Sequence, residues 1–200
     1  MTIEVQCLGH SFNQNELFNN LTFTIPSKSS CAIVGANGSG KSTLMQILAG
    51  RITPQKGNVT FIISNNKVIP AEDVYSHIAW TAPMIELYSV LTVNEAVRLH
   101  ARFKQLLLPI NDILDLIQLT PHRQKPLKNL SSGMMQRLKV GLALFSQSSL
   151  LLLDEPTGFM DETNTERFLS LIQEYQGDRT YILASNIAQE WQSISQIISL

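Results

Sequence analysis

Apolar and polar positions alternate from Ile3 to Cys7 and again from Leu21 to Ile25, the period-two pattern of strands with one buried face. Ser30 to Val34 is a short apolar run that leads into a glycine-rich loop. From Lys41 to Ala49 the spacing becomes helical, and Gly50 stands where a C-cap is needed. Gly57 to Ile63 predicts a further strand, and Ile78 to Trp80 a short one that ends near Pro83. The first third therefore reads as strands and turns around one helix.

The middle of the chain changes period. Thr92 to Leu107 has helical spacing, with Val93, Ala96, Val97, Leu99 and Phe103 apolar, and Ile110 to Leu119 is a second such stretch. Pro121 and Pro126 interrupt it, and a longer helix is expected from Ser131 to Phe145, with a serine at its start. Leu150 to Leu153 fits a buried strand or a piece of helix; the carboxylates that follow favour strand. A helix from about Glu162 to Tyr175, a strand from Thr180 to Ala184 and a short apolar run from Ile197 to Leu200 continue an α/β alternation. No internal repeat or low-complexity segment interrupts it.

Composition narrows the class. The 200 residues are 44% hydrophobic, enough for a real core, and suit one compact domain or two closely associated lobes. The formal net charge of −1, without a basic run, argues against a protein built mainly to bind nucleic acid, which needs clustered Lys and Arg. Cys7 and Cys31 share no CxxC spacing, and the histidines are scattered, so neither a disulfide framework nor a zinc site is expected and a reducing cytoplasm is the natural compartment. The sequence shows neither a signal peptide nor a membrane span. Service to a membrane would need another chain.

Two segments carry chemistry. Gly35-Ala36-Asn37-Gly38-Ser39-Gly40-Lys41-Ser42-Thr43 fits G-x-x-x-x-G-K-[ST] at every fixed position, between an apolar strand and a helix. Glycines let backbone N–H groups approach phosphate oxygens, and the helix start offers its positive end to the anion. Lys41 is the expected partner of the β- and γ-phosphates and Ser42 of Mg²⁺. A glycine-rich turn matching by chance is the alternative. The second segment, Leu150-Leu151-Leu152-Leu153-Asp154-Glu155, is a hydrophobic strand that would deliver Asp154 to the metal, with Glu155 placed to polarise the attacking water. Its bland alternative is an acidic pair capping the next helix.

The segment between these two resembles a particular kind of NTPase. Leu130-Ser131-Ser132-Gly133-Met134-Met135-Gln136-Arg137-Leu138 is similar to the LSGGQ-type signature of ABC ATPases. Glu155-Pro156-Thr157 and Phe159-Met160-Asp161 look like that family's EPT and D-loop, and Leu91-Thr92-Val93-Asn94-Glu95 looks like the LTVxE that opens its helical subdomain. The resemblance covers essentially the whole chain. It implies an α/β P-loop NTPase fold: a single nucleotide-binding domain over 1–200, with a RecA-like core, an antiparallel β subdomain and a helical subdomain at about 84–147. It implies ATP with Mg²⁺ as ligands, and head-to-tail pairing of two such domains, homo- or heterodimeric. Each nucleotide would then lie between the P-loop of one and Ser131, Gly133 and Asp161 of the other. Phe12 is the candidate ring against adenine; it serves equally well as a core residue.

Three departures stand out. Pro83 occupies the position of the family's Q-loop glutamine and has no side-chain ligand. Asn186 replaces the switch histidine; its amide still donates a hydrogen bond to a γ-phosphate but cannot become a cation. The signature has Ser132 where glycine is usual and Met134 where glutamine is common. The leading expectation is an ATP-hydrolysing subunit of a membrane transporter, resembling the ABC-2 exporter branch or the small ATPases of cytochrome c maturation. It would work with integral membrane subunits at the inner face of the cell membrane, without nucleic acid. A slow or non-hydrolytic nucleotide-gated clamp is the alternative, motivated by Pro83 and Asn186. A soluble ABC ATPase of translation or DNA repair would carry two such domains or a long coiled coil, and neither is seen. Met84, Ile85, Leu87 and Tyr88 are either a docking surface for the membrane subunits or core.

Overall fold

A computed structural model describes residues 1–12, 15–63 and 66–200. The chain divides into two compact units, one formed by 1–80, 148–155 and 178–200 and the other by 81–147 and 156–177.

The first unit holds two sheets. In one, β1 (Thr2–Phe12), β2 (Asn15–Ile25), β4 (Lys56–Ile63) and β5 (Lys67–Ile69) lie in the order β2-β1-β4-β5, with antiparallel neighbours. The alternation at Ile3 to Cys7 marks only part of β1. The strand continues through a bulge at Cys7, whose φ is 48°, and its register shifts there against both neighbours. Gly57 (φ 77°) makes the bulge possible: a Cβ at that position would fall 2.3 Å from the Gln6 carbonyl oxygen.

The second sheet has the order β6-β7-β8-β3-β9, from β3 (Ser30–Val34), β6 (Ile78–Thr81), β7 (Leu150–Asp154), β8 (Thr180–Ala184) and β9 (Gln196–Ser199). β7 with β8, β8 with β3 and β3 with β9 are parallel. All five residues of β7 and all five of β8 are buried, which is why the leucine run shows no alternation. Helix α1 (Lys41–Leu48) follows β3 and shares one apolar core with both sheets, in which Ile3, Ile25, Leu44, Phe61, Leu150 and Ile182 are sealed from solvent. The last strand is preceded by a short helix, α6 (Ala188–Trp191), that the pattern of apolar positions does not announce.

The second unit is helical: α2 (Val93–Phe103), α3 (Ile110–Leu116), α4 (Ser132–Leu144) and α5 (Glu162–Tyr175). α2 opens on a full capping box, in which Thr92 Oγ1 accepts from the Glu95 N–H and Glu95 Oε2 accepts from the Thr92 N–H. It stops at Phe103, short of the expected Leu107, because the chain beyond is claimed by backbone pairing. The Leu107 N–H donates to the Phe145 carbonyl, and the Gln147 N–H to Gln105. α3 ends early for a different reason: Gln118 (φ 55°) turns left-handed, so that the Leu119 N–H donates back to Leu114. Gly141 of α4 sits against Ile117, where a Cβ would approach to 2.7 Å. Among the described residues, no helix is long and apolar enough to cross a membrane.

Candidate functional site

In the first unit the loop after β3 wraps a cavity of about 370 Å³. Asn37, Gly38, Gly40 and the first three residues of α1, Lys41, Ser42 and Thr43, form one wall; Phe12 and Leu17 form a second; Glu155 closes a third. The glycines have distinct jobs. Gly38 (φ 83°) has open space where a Cβ would be, so nothing stands between its backbone and a ligand. Gly40 (φ 102°) is the N-cap of α1 and makes no side-chain cap, which leaves the first N–H groups of the helix for an incoming anion. At Gly35 a Cβ would fall 2.6 Å from Ser39 Oγ, so the loop closes this tightly only without a side chain there. Ser39 Oγ is itself buried with no hydrogen-bond partner among the described residues.

Lys41 is 5% exposed, and its Nζ donates to the carbonyls of Gly35 (2.9 Å) and Ala36 (3.0 Å). Its charge is therefore held inside the loop by neutral acceptors, which a phosphate would outbid.

Asp154 ends β7 beneath the cavity. It is fully buried, and among the described residues neither carboxylate oxygen accepts a well-formed hydrogen bond. Burial raises its pKa from 3.8 to about 6. The Ser42 hydroxyl lowers it, the neighbouring Glu155 raises it and the Lys41 ammonium lowers it, without undoing the effect of burial. A sealed carboxylate without a well-formed hydrogen bond is costly, and a divalent cation answers that cost. Asp154 with the Ser42 hydroxyl fits Mg²⁺ on this ground.

Glu155 follows at φ 48°, a strained conformation for a residue with a Cβ, and its N–H donates to the Ala184 carbonyl at 2.9 Å. The kink turns the chain out of β7, so Asp154 stays inside while Glu155 reaches the cavity. Phe12, at the end of β1, is 53% exposed, which sets aside a core role, and His10 packs edge-on behind it with ring centroids 5.4 Å apart. Sequence reading overlooked His10; two aromatic rings two residues apart on one strand face was the available signal. Asn186 follows β8, and its Nδ2 donates to Asn37 Oδ1 at 3.1 Å.

The second unit has its own polar cavity, about 260 Å³, at the start of α4. Ser131 is the N-cap, accepting from the Met134 N–H at 3.2 Å, which leaves its hydroxyl proton to donate outward. Ser132, Gly133, Phe159 and Asp161 share this cavity. Gly133 lies against the backbone of the next loop: a Cβ would meet the Phe159 carbonyl oxygen at 2.9 Å. Phe159 holds φ 67° and is 75% exposed. Asp161 caps α5, accepting from the Asn164 N–H at 2.8 Å. Arg137 borders the same cavity, its pKa lowered by burial against a countering pull from Asp161. Arg137 and Phe159 were quoted in the motifs without a role. Pro83 is exposed, and its carbonyl accepts from Lys139 Nζ at 3.2 Å. Met84 and Tyr88 are 45% and 73% exposed and Ile85 and Leu87 are partly exposed, so none of the four is core.

The expected site residues thus gather in two places. Phe12, Asn37, Gly38, Gly40, Lys41, Ser42, Thr43 and Glu155 line the first cavity, with Gly35, Ser39, Asp154 and Asn186 supporting or adjoining it. Ser131, Gly133 and Asp161 line the second.

Known proteins resemble this chain. A model of the ABC transporter family matches residues 18–158. The lantibiotic transport ATP-binding protein SrtF of Streptococcus pyogenes is 26% identical over 98% of the chain and 85% of its own length. The ABC transporter ATP-binding protein YtrE of Bacillus subtilis is 28% identical over 92% and 88%. The mouse organic anion transporter ABCA8B is 32% identical over 89% of the chain, a match confined to 11% of that much longer protein. Two solved structures share the fold: a putative ABC transporter ATP-binding protein from Pyrococcus furiosus (TM-score 0.82, 22% identity, 100% of this chain and 98% of that one) and a dimeric ATP-binding cassette in a post-hydrolysis state with ADP and Pi (TM-score 0.83, 20% identity, 99% and 94%). Motif order, cavity chemistry and family match agree: the chain belongs to the ABC transporter family, as an ATP-binding domain.

Proposed function

We propose that this chain binds and hydrolyses ATP to power a membrane exporter, closing on a second nucleotide-binding domain when ATP binds and reopening after hydrolysis. The observation that carries this reading is the corner at the end of β7, where one sealed carboxylate without a well-formed hydrogen bond and one cavity-facing carboxylate sit beside the phosphate loop. In this reading Lys41 exchanges the Gly35 and Ala36 carbonyls for phosphate oxygens. The backbone of Gly38, Ser39 and Gly40 and the start of α1 hold the remaining phosphate charge. Phe12 stacks on adenine. Ser42 and Asp154 hold Mg²⁺, which when bound offsets phosphate charge. Glu155 orients the attacking water and takes its proton. Ser131, Gly133 and Asp161 act across the interface on the partner's nucleotide, the Ser131 hydroxyl donating to phosphate.

Export as the direction is supported by the lantibiotic transport relative and by the resemblance of the signature to ABC-2 exporters. Energy would pass to separate integral membrane subunits at the inner face of the membrane, and the exposed Met84 and Tyr88 suit such a docking surface. A second reading, a slow or non-hydrolytic clamp, is favoured by Pro83, whose carbonyl is engaged by Lys139 and which offers no side-chain ligand. Purifying the chain from native membranes and identifying its companions tests the first reading. A multi-span protein in stoichiometric amount supports it. A soluble chain that binds ATP without turnover supports the clamp.

A further inference from the structure

We infer that Asn186 serves the nucleotide through Asn37: its side-chain amide fixes the orientation of the Asn37 amide, so that Asn37 presents N–H groups to the phosphates. The inference rests on the ATP-binding reading of the P-loop cavity and assigns a different task to the residue at the switch position.

The two residues come together by construction. β3 and β8 are parallel neighbours, and the Ser185 N–H donates to the Ile33 carbonyl at 3.1 Å, so both strands end at the same edge of the sheet. The turn after β8 is then fixed by Ser185 Oγ, buried, accepting from the Ile187 N–H at 2.9 Å. Asn186 lies between these two anchors. The loop after β3 is fixed as well, by the Ser39 N–H donating to Ala36 at 3.2 Å. Across this short gap Asn186 Nδ2 donates to Asn37 Oδ1 at 3.1 Å.

Chemistry gives the contact a direction. A primary amide has an acceptor end and a donor end, and rotation about its last bond exchanges them. At the mouth of a phosphate site the two ends are not equivalent, because the oxygen repels an anion and the NH₂ attracts it. With its oxygen engaged by Asn186, Asn37 retains both N–H groups for the cavity it lines. A side chain able to donate at position 186 preserves this arrangement, and one without a donor releases it. Asn186 is thus a positioning residue acting on affinity, whereas a group that touches the transferring phosphoryl would act on turnover.

The experiment is a double-mutant cycle on the full chain, reading equilibrium binding of a fluorescent ATP analogue and steady-state ATP hydrolysis. Asn37→Ala and Asn186→Ala are each expected to weaken binding about threefold, the scale of one exposed neutral hydrogen bond. The double variant is expected to be no weaker than either single one. The loss falls on Kd and KM rather than on kcat, unfolding midpoints stay within about 1 °C of the parent, and Asn186→His, which keeps a donor, restores binding. Losses that multiply in the double variant, or an Asn186→Ala variant that loses kcat at unchanged Kd, would overturn the inference. Lys41→Ala separates it from the reading beneath it: a chain that still binds the analogue without Lys41 refutes the P-loop assignment itself.

Discussion

Replacing Asp154 with asparagine should make the metal-free chain more stable while disabling the proposed Mg²⁺ site. Asp154 is fully buried, and neither of its oxygens accepts a well-formed hydrogen bond. Burial lifts its pKa from 3.8 to about 6, a rise worth about 3 kcal/mol against the ionised form. The sign follows from linkage. A carboxyl whose pKa is raised by folding costs nothing below about 3.8; its cost grows as pH climbs and is complete above about 6. Asparagine removes the charge but leaves a buried amide with few partners, which returns about 1–2 kcal/mol of the gain. The net expectation at pH near 7.5 is about 1–2 kcal/mol, or roughly 3–6 °C in Tm for a chain of this size. Thermal unfolding with a chelator present, at pH near 7.5 and near 4.5, measures it, and most of the advantage should vanish at the lower pH. With Mg²⁺ and ATP added the order should reverse, since the parent gains ligand stabilisation that the variant cannot match. An Asp154→Asn variant that is less stable at neutral pH in chelator would refute the argument, because it would mean the carboxylate already has a partner that asparagine cannot replace.

Further predictions follow from the same geometry. Glu155→Gln should trap an ATP-bound dimer, seen as an ATP-dependent shift in size-exclusion chromatography with turnover reduced at least a hundredfold; parental turnover would show that Glu155 is not the base. Gly57→Ala should cost about 3 kcal/mol in urea unfolding, because a methyl group at φ 77° would press into the Gln6 and Cys7 carbonyls; a loss under about 1 kcal/mol would mean that the β1 bulge yields easily. Tyr88→Glu should loosen association with the proposed membrane subunits and leave nucleotide binding intact, since Tyr88 is exposed and lies in the unit that lacks the P-loop cavity; unchanged co-purification would rule out docking through this residue. Asn186→His should raise kcat if a cation at that position assists phosphoryl transfer, and an unchanged kcat would leave the residue with its positioning task alone.

The phosphate loop, the acidic strand end and the signature were legible because each is a contiguous segment whose chemistry depends on local order. Glycines must precede Lys41, and Asp154 must end an apolar strand, whatever surrounds them. Even Thr92 and Glu95 announce the start of α2 at three-residue spacing. Element ends were less legible, and the reason is tertiary. α2 stops at Phe103 because Phe145 and Gln147 take up the backbone groups of the chain beyond it, and β1 outruns its alternation because a bulge at Cys7 is accommodated by Gly57, fifty residues away. Local sequence could not disclose that Phe12 is exposed with His10 behind it, that Gly133 is required by the Phe159 carbonyl, or that Asp154 is sealed without a well-formed hydrogen bond among the described residues. Each depends on which distant atoms fill the space around a side chain. The sequence alone determined what the candidate site is made of. Only the tertiary structure decided which groups are left unsatisfied, turned outward or tied together, because burial and partnership are properties of the packed chain.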